Sequence, residues 1–80
     1  MYNLIIESPA ERFIKKLDKQ EQTRVLSRIE DLKEKPRMGK PLSGRLAGIW
    51  SLRIGKYRAL YHIKDQQLVV FVLTVGHRKD

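Results

Sequence analysis

The chain has no cysteine, so a disulfide framework and a thiolate metal site are both closed to it. Long apolar runs are missing too: the longest, Leu68 to Leu73, is too short to cross a bilayer as a helix. The first residues reach Glu7 without a basic segment, which is not the pattern of a secretory leader. No glycine-rich loop precedes a helix, so nucleotide binding has no motif. Two histidines at unrelated positions and scattered carboxylates offer no metal-ligand set, and no serine stands in a Ser-His-Asp context. The expectation is a cytoplasmic protein with no metal and no cofactor. The most informative absence is local. Between Lys35 and Lys64 there is no Asp or Glu.

That segment holds eight cations: Lys35, Arg37, Lys40, Arg45, Arg53, Lys56, Arg58 and Lys64. Residues 1–34 carry seven Lys/Arg against seven Asp/Glu, and residues 65–80 carry two against two. The whole formal charge of +8 therefore belongs to one central block (7 − 7 = 0, 8 − 0 = +8, 2 − 2 = 0). Charge confined to one stretch that also reads as sheet marks a surface that meets a polyanion, nucleic acid first. Helical amphipathicity is absent from the block, which argues against a membrane surface. Eighty residues make a single domain spanning 1–80. Its 41% apolar and 32% charged composition is that of a folded chain.

The element pattern is α+β, in the order β-α-α-β-β-β. Met1 to Ile6 is β-prone, with Tyr2, Leu4 and Ile6 on one face. Ser8 is placed to cap a first helix, Pro9 to open it and Glu11 to complete a capping box. Ala10, Phe13, Ile14 and Leu17 make its apolar stripe. Asp18 to Glu21 repeats the capping logic for a second helix, whose buried stripe is Val25, Leu26, Ile29 and Leu32. Pro36 stops it near Lys35. Residues 37–48 read as a loop. The period then changes to two. Trp50, Leu52 and Ile54 share a face, Gly55-Lys56 is a hairpin turn, and Tyr57, Ala59, Tyr61 and Ile63 alternate after it. Leu68 to Val75, apolar on both faces, suits a central strand. The helical hairpin packs on one face of a small, mainly antiparallel sheet with a mixed edge.

With Gly55-Lys56 as the turn, Arg53 stands opposite Arg58 on the face away from the helices. Like charges opposed across strands cost up to about 1 kcal/mol. A phosphate is the natural third party, because two planar guanidinium forks bind one phosphoryl group bidentately. On pattern alone, the pair could also splay into solvent or meet a helix acid. His77, near the end of the last strand, is a candidate proton shuttle because imidazole titrates near neutrality.

The run from Pro41 to Tyr61, of the form LxGxxxGxWxLRxGxYRxxY, together with the terminal Val75-Gly76-His77-Arg78-Lys79-Asp80, resembles the RelE/ParE toxin superfamily. The resemblance spans essentially the whole chain and is nearest to RelE, the toxin of type II toxin–antitoxin pairs. It implies a ribosome-dependent endoribonuclease that cuts mRNA in the A site without a metal. The ribose 2′-hydroxyl attacks the adjacent phosphate, leaving a 2′,3′-cyclic phosphate and a 5′-hydroxyl. On matching positions Arg53 and Arg58 hold the scissile phosphate and Arg78 is the C-terminal arginine; His77 stands beside them as a candidate base or acid on its own chemistry. Lys40, Arg45, Ser51, Lys56 and Lys79 are the expected RNA contacts.

Ser51 departs from a branch that carries lysine there. Members commonly have a tyrosine a few residues past the Gly-His-Arg motif, and the sequence ends at Asp80. Weak or absent activity is therefore among the expectations. The resemblance also implies a RelB-like antitoxin, acidic and wrapping the basic sheet, beside the ribosome and mRNA as partners. Two other readings stay open: a ParE-like toxin that inhibits DNA gyrase by protein contact, and a weakened relative that only binds rRNA.

Overall fold

The computed structural model describes residues 1–78. Two helices lie on one face of a five-stranded mixed sheet of order β1-β5-β4-β3-β2. The strands are β1 (Asn3–Ile6), β2 (Lys40–Pro41), β3 (Ile49–Ile54), β4 (Tyr57–Lys64) and β5 (Val69–His77). β1 runs parallel to β5, and every other pairing is antiparallel. The expected α+β sandwich is therefore present, with one strand more than the sequence suggested. None of the helices is long and apolar enough to cross a membrane, among the described residues.

Helix α1 (Ser8–Lys15) starts one residue earlier than expected. β1 holds the chain extended through Glu7, whose N–H donates to the Val72 carbonyl at 2.9 Å. Glu7 therefore takes the N-cap position, and Ser8 already lies inside the helix with no side-chain cap. The cap of α2 (Lys19–Glu30) is as expected: the Asp18 carboxylate accepts from the Glu21 N–H at 2.9 Å. Gln22 ties the two helices together by donating to the Leu17 carbonyl at 2.9 Å and the Lys15 carbonyl at 3.2 Å. One is a last-turn carbonyl of α1 and the other lies just past its end, where no helical N–H follows to accept from.

The core lies between helices and sheet. Ala10, Ile14, Val25, Ile29 and Leu32 meet Leu52, Ile54, Tyr57, Ala59, Tyr61, Val70, Val72 and Val75. Leu26 corrects the expected stripe, since it is 37% exposed. With 100° per residue, Val25, Ile29 and Leu32 face the sheet while Leu26 is turned a full step away. Pro36 does not end α2 directly. The helix stops at Glu30 and a 3₁₀ turn, Asp31–Lys33, carries Leu32 into the core.

The 37–48 segment is not all loop. Lys40 pairs with Ser51 and Pro41 with Trp50, making β2 a two-residue edge strand. Proline is tolerated on an edge because no inner neighbour needs its missing N–H. In β3 and β4 the predicted register holds: Ile54 faces Tyr57, Arg53 faces Arg58 and Ser51 faces Leu60. Gly55 supplies the turn with a φ of +58°. Between β4 and β5 the register shifts at Leu60/Tyr61, so that Tyr61 pairs with Val72 but Leu60 with Thr74. Leu73 is the extra residue of a β-bulge. After it, Val75 and His77 point to the helix side and Gly76 to the open side.

Candidate functional site

The pairings place the open face in rows that run across the strands. Arg53, Arg58 and Gly76 form one row; Lys40, Ser51, Leu60 and Thr74 form the next. Both arginines are exposed and opposed. Beside them, where β2 ends and leaves the last residues of β3 on the sheet edge, lies an open groove of about 390 Å³. Its lining brings Arg53 and Arg58 together with Lys40, Ser51 and Arg28, over Met38, Gly39, Leu42 and Leu52. The lining thus contains four cationic side chains and no carboxylate.

The alternative partners for this charge are elsewhere. The ion pairs join Glu11 to Lys15, Glu21 to Arg24, Asp31 to Arg28, Glu30 to Lys33 and Asp65 to Arg37. Among the described residues none takes in Lys40, Arg53 or Arg58. Arg37 belongs to the basic block but is spoken for: its Nη2 donates to Asp65 at 2.6 Å, and Asp65 also accepts from the Tyr2 hydroxyl at 2.5 Å. Arg37 holds the Asp65 carboxyl below its usual range, with Tyr2 assisting. Of the basic block, Lys40, Arg53 and Arg58 thus meet at the groove.

Not every expected site residue reaches it. His77 pairs with Tyr57 and lies on the helix side of the sheet, its ring edge-on to Phe13 at 5.5 Å and tilted against Tyr57 at 5.3 Å. The sheet separates it from the arginine pair. The bulge at Leu73 sets which side it faces, so the residue expected as a shuttle lies across the sheet from Arg53 and Arg58. Arg78 is anchored at the hairpin turn, its N–H donating to the Lys56 carbonyl at 2.9 Å and its Nη1 to the Gly55 carbonyl at 2.6 Å. Lys56 is exposed, its ammonium 5.7 Å from the Tyr57 ring on the helix side. Arg45 sits exposed on a 3₁₀ turn, Gly44–Leu46, at the far end of β3. Lys79 lies outside the described residues.

Arg28 is the groove residue that the charge block does not contain. It sits on α2, in the part of the chain where positive and negative charges balance. The legible signal was helical: Arg28 is three residues after Val25 and one before Ile29, on the flank of the buried stripe. A cation there is carried to the rim of the core. Its Nη1 donates to Asp31 at 3.3 Å and approaches the Met38 sulfur at 3.9 Å.

Comparison with known proteins bears on the frame that carries this arrangement. The family model described as the ParE toxin of the type II toxin–antitoxin system parDE matches residues 4–80. The chain belongs to the RelE/ParE superfamily of toxins. Toxin RelG of Mycobacterium tuberculosis is 51% identical over 51 residues, covering 62% of this chain and 59% of that protein. The match thus spans less than two thirds of that relative. A chain of the toxin–antitoxin complex RelBE2, also from M. tuberculosis, is 39% identical with a TM-score of 0.88, covering 96% of this chain and 98% of its own. The isolated Escherichia coli RelE toxin, 23% identical, shares the fold with a TM-score of 0.82, covering all of this chain and 87% of its own. RelE/ParE membership accounts for the two-helix, five-stranded frame; the groove is a property of these side chains.

Proposed function

We propose that this toxin is a ribosome-dependent endoribonuclease that cuts mRNA in the A site. The observation that carries the reading is the registered pair Arg53–Arg58 in a groove whose lining has no carboxylate and where Lys40 joins them outside the ion pairs, with Arg28 at the rim beside Asp31. A phosphodiester seated on the pair would have its non-bridging oxygens in reach of two guanidinium forks. When the ribose 2′-hydroxyl attacks, the 2′-oxygen–phosphorus bond forms and the phosphorus–5′-oxygen bond breaks. The 2′ proton leaves, and the departing 5′-oxygen gains one. Negative charge grows on the phosphoryl oxygens between these events, and preorganised cations stabilise that growth more than the ground state.

Ser51 brings no charge to its row, but Lys40 stands directly across from it on β2. The edge strand thus supplies a cation that β3 lacks. Arg78, tied to the Gly55 carbonyl, acts in this reading by fixing the hairpin turn next to Arg53 and Arg58. His77 serves the packing of Phe13 and Tyr57 and is not assigned the proton. The E. coli RelBE and M. tuberculosis RelBE2 toxin–antitoxin complexes share the fold, which supports an antitoxin partner for this chain. An acidic antitoxin segment laid over the groove would neutralise the same cations that hold RNA.

The ParE name of the matching family model supports a second reading, inhibition of DNA gyrase. One experiment separates the two. The purified chain is added to ribosomes programmed with a defined mRNA and 5′ ends are mapped by primer extension, with a gyrase supercoiling assay in parallel. The expected result is new ends within the A-site codon, lost in Arg58→Ala. Inhibited supercoiling with intact mRNA would overturn the endonuclease reading in favour of gyrase.

A further inference from the structure

The groove is longer than one phosphate needs. Arg53 and Arg58 occupy one row of the open face, and the Lys40–Ser51 row lies two residues further along β3. That is about 6.7 Å at the rise of a strand, the reach of one nucleotide. Arg28 lines the same groove from α2. The Asp31 contact fixes its guanidinium at the rim through Nη1.

We propose that Arg28 and Lys40 together form a second phosphate subsite, which holds the RNA phosphate neighbouring the one on Arg53 and Arg58. The proposal rests on the endoribonuclease reading and assigns the strand its path. Arg28 and Met38 also form a ridge, because they line the adjoining groove as well. That second groove carries three carboxylates, Glu30, Asp31 and Glu34, against one further cation, Lys35. A polyanion leaving the basic groove over α2 would meet these carboxylates, so the ridge is a boundary. Beyond Arg28 the strand turns away from α2, toward Lys40 and Leu42. Arg28 and Lys40 touch the strand away from the bond that breaks, and their contribution is to binding and registering the substrate.

The test measures binding of a short single-stranded oligoribonucleotide to the full chain over a salt series, for wild type, Arg28→Gln, Lys40→Gln and the double variant. Each lost phosphate contact should reduce the slope of log K against log[salt] by roughly 0.7. If both side chains share one phosphate, the double variant loses no more slope than either single one, and Arg28→Lys restores it. On programmed ribosomes, Arg28→Gln should raise KM about tenfold, the worth of one charge-assisted hydrogen bond. The saturated rate should fall by less than about twofold, unlike in Arg58→Ala.

Unchanged salt slopes in both single variants, or a loss confined to the saturated rate, would overturn the subsite. If the wild-type chain leaves mRNA intact, the endoribonuclease reading fails and the oligoribonucleotide slopes still decide the subsite. A wild-type chain that binds an acidic peptide but no RNA would refute the subsite outright.

Discussion

The Tyr61 hydroxyl donates to the Pro36 carbonyl at 2.7 Å and accepts from the Gly39 N–H at 3.1 Å. A fully buried ring in the middle of β4 thus holds the segment that carries Met38, Gly39 and Lys40 to the groove. Tyr61→Phe keeps the ring, which also stacks on Trp50, and strands both backbone partners. The expected loss is about 1–3 kcal/mol, read as a lower urea midpoint, with weaker RNA binding alongside. Burial is the main reason the Tyr61 phenol is raised above its usual value. The folded state therefore favours the neutral form. Its contribution is complete below about pH 10 and disappears as pH rises through the higher folded value. The alkaline fall in stability should be shallower in Tyr61→Phe than in wild type. An identical urea midpoint in the variant would show that these two hydrogen bonds hold nothing.

Asp65 supplies the acid-side counterpart. It joins Tyr2 at the start of the chain to Arg37 beyond Pro36, and Arg37 depresses its carboxyl. A depressed folded value means that the stabilisation is present above the ordinary carboxylate range, and is lost as pH falls through the lowered folded value. Thermal melts of wild type and Asp65→Asn should differ most at neutral pH and converge toward pH 3. Because the pair is exposed, the difference should shrink in high salt. A constant gap at all pH values would assign the effect to packing.

Much of this molecule is written in periodicity. The alternation on either side of Gly55-Lys56 fixed the register that opposes Arg53 and Arg58, because one face had to be buried. The parts that were not legible have physical causes. β2 is two residues long and contains a proline, so it has no period to detect. The bulge at Leu73 adds a residue to a strand that is apolar on both faces, where no polar residue marks the change of side. His77 reads as a site residue from its imidazole alone, and that hidden step is why it folds as a neighbour of Phe13. Arg28 was missed for a different reason: a charge count along the chain cannot see a cation that the helix carries across space.

Stability and activity should move in opposite directions at the arginine pair. Opposed guanidinium groups without a carboxylate cost a few tenths to about 1 kcal/mol, a penalty accepted at a site that binds an anion. Arg58→Thr removes the repulsion and places a β-branched residue in a strand. It should raise the urea midpoint slightly while reducing mRNA cleavage about 10²–10³-fold, the loss of one preorganised donor. Adding phosphate or a short oligoribonucleotide should stabilise wild type more than the variant, since a ligand stabilises the state that binds it in proportion to its affinity. A variant less stable than wild type and still fully active would reverse the assignment of this pair.

Two glycines next to the groove differ in what surrounds them. A Cβ at Gly39 would lie 2.5 Å from the Ser51 carbonyl oxygen and 2.7 Å from the Tyr61 hydroxyl. Neither can yield cheaply, because one belongs to β3 and the other is held by Pro36. Gly39→Ala should therefore cost about 1–3 kcal/mol, as overpacking does, and should push β2 and Lys40 out of register with Ser51. At Gly76 nothing lies within 4 Å of an added Cβ, so Gly76→Ala should be neutral or stabilise by about 0.5–1 kcal/mol, since glycine weakens a strand interior. Gly76 nonetheless faces Arg58 across the ladder, and a larger side chain there occupies space beside the guanidinium. Gly76→Val should keep the fold, by urea midpoint, and lower cleavage by raising KM. If instead Gly39→Ala melts with wild type and Gly76→Val cleaves like it, the groove is looser than this packing implies and the arginine row and the Lys40 row do not define one track.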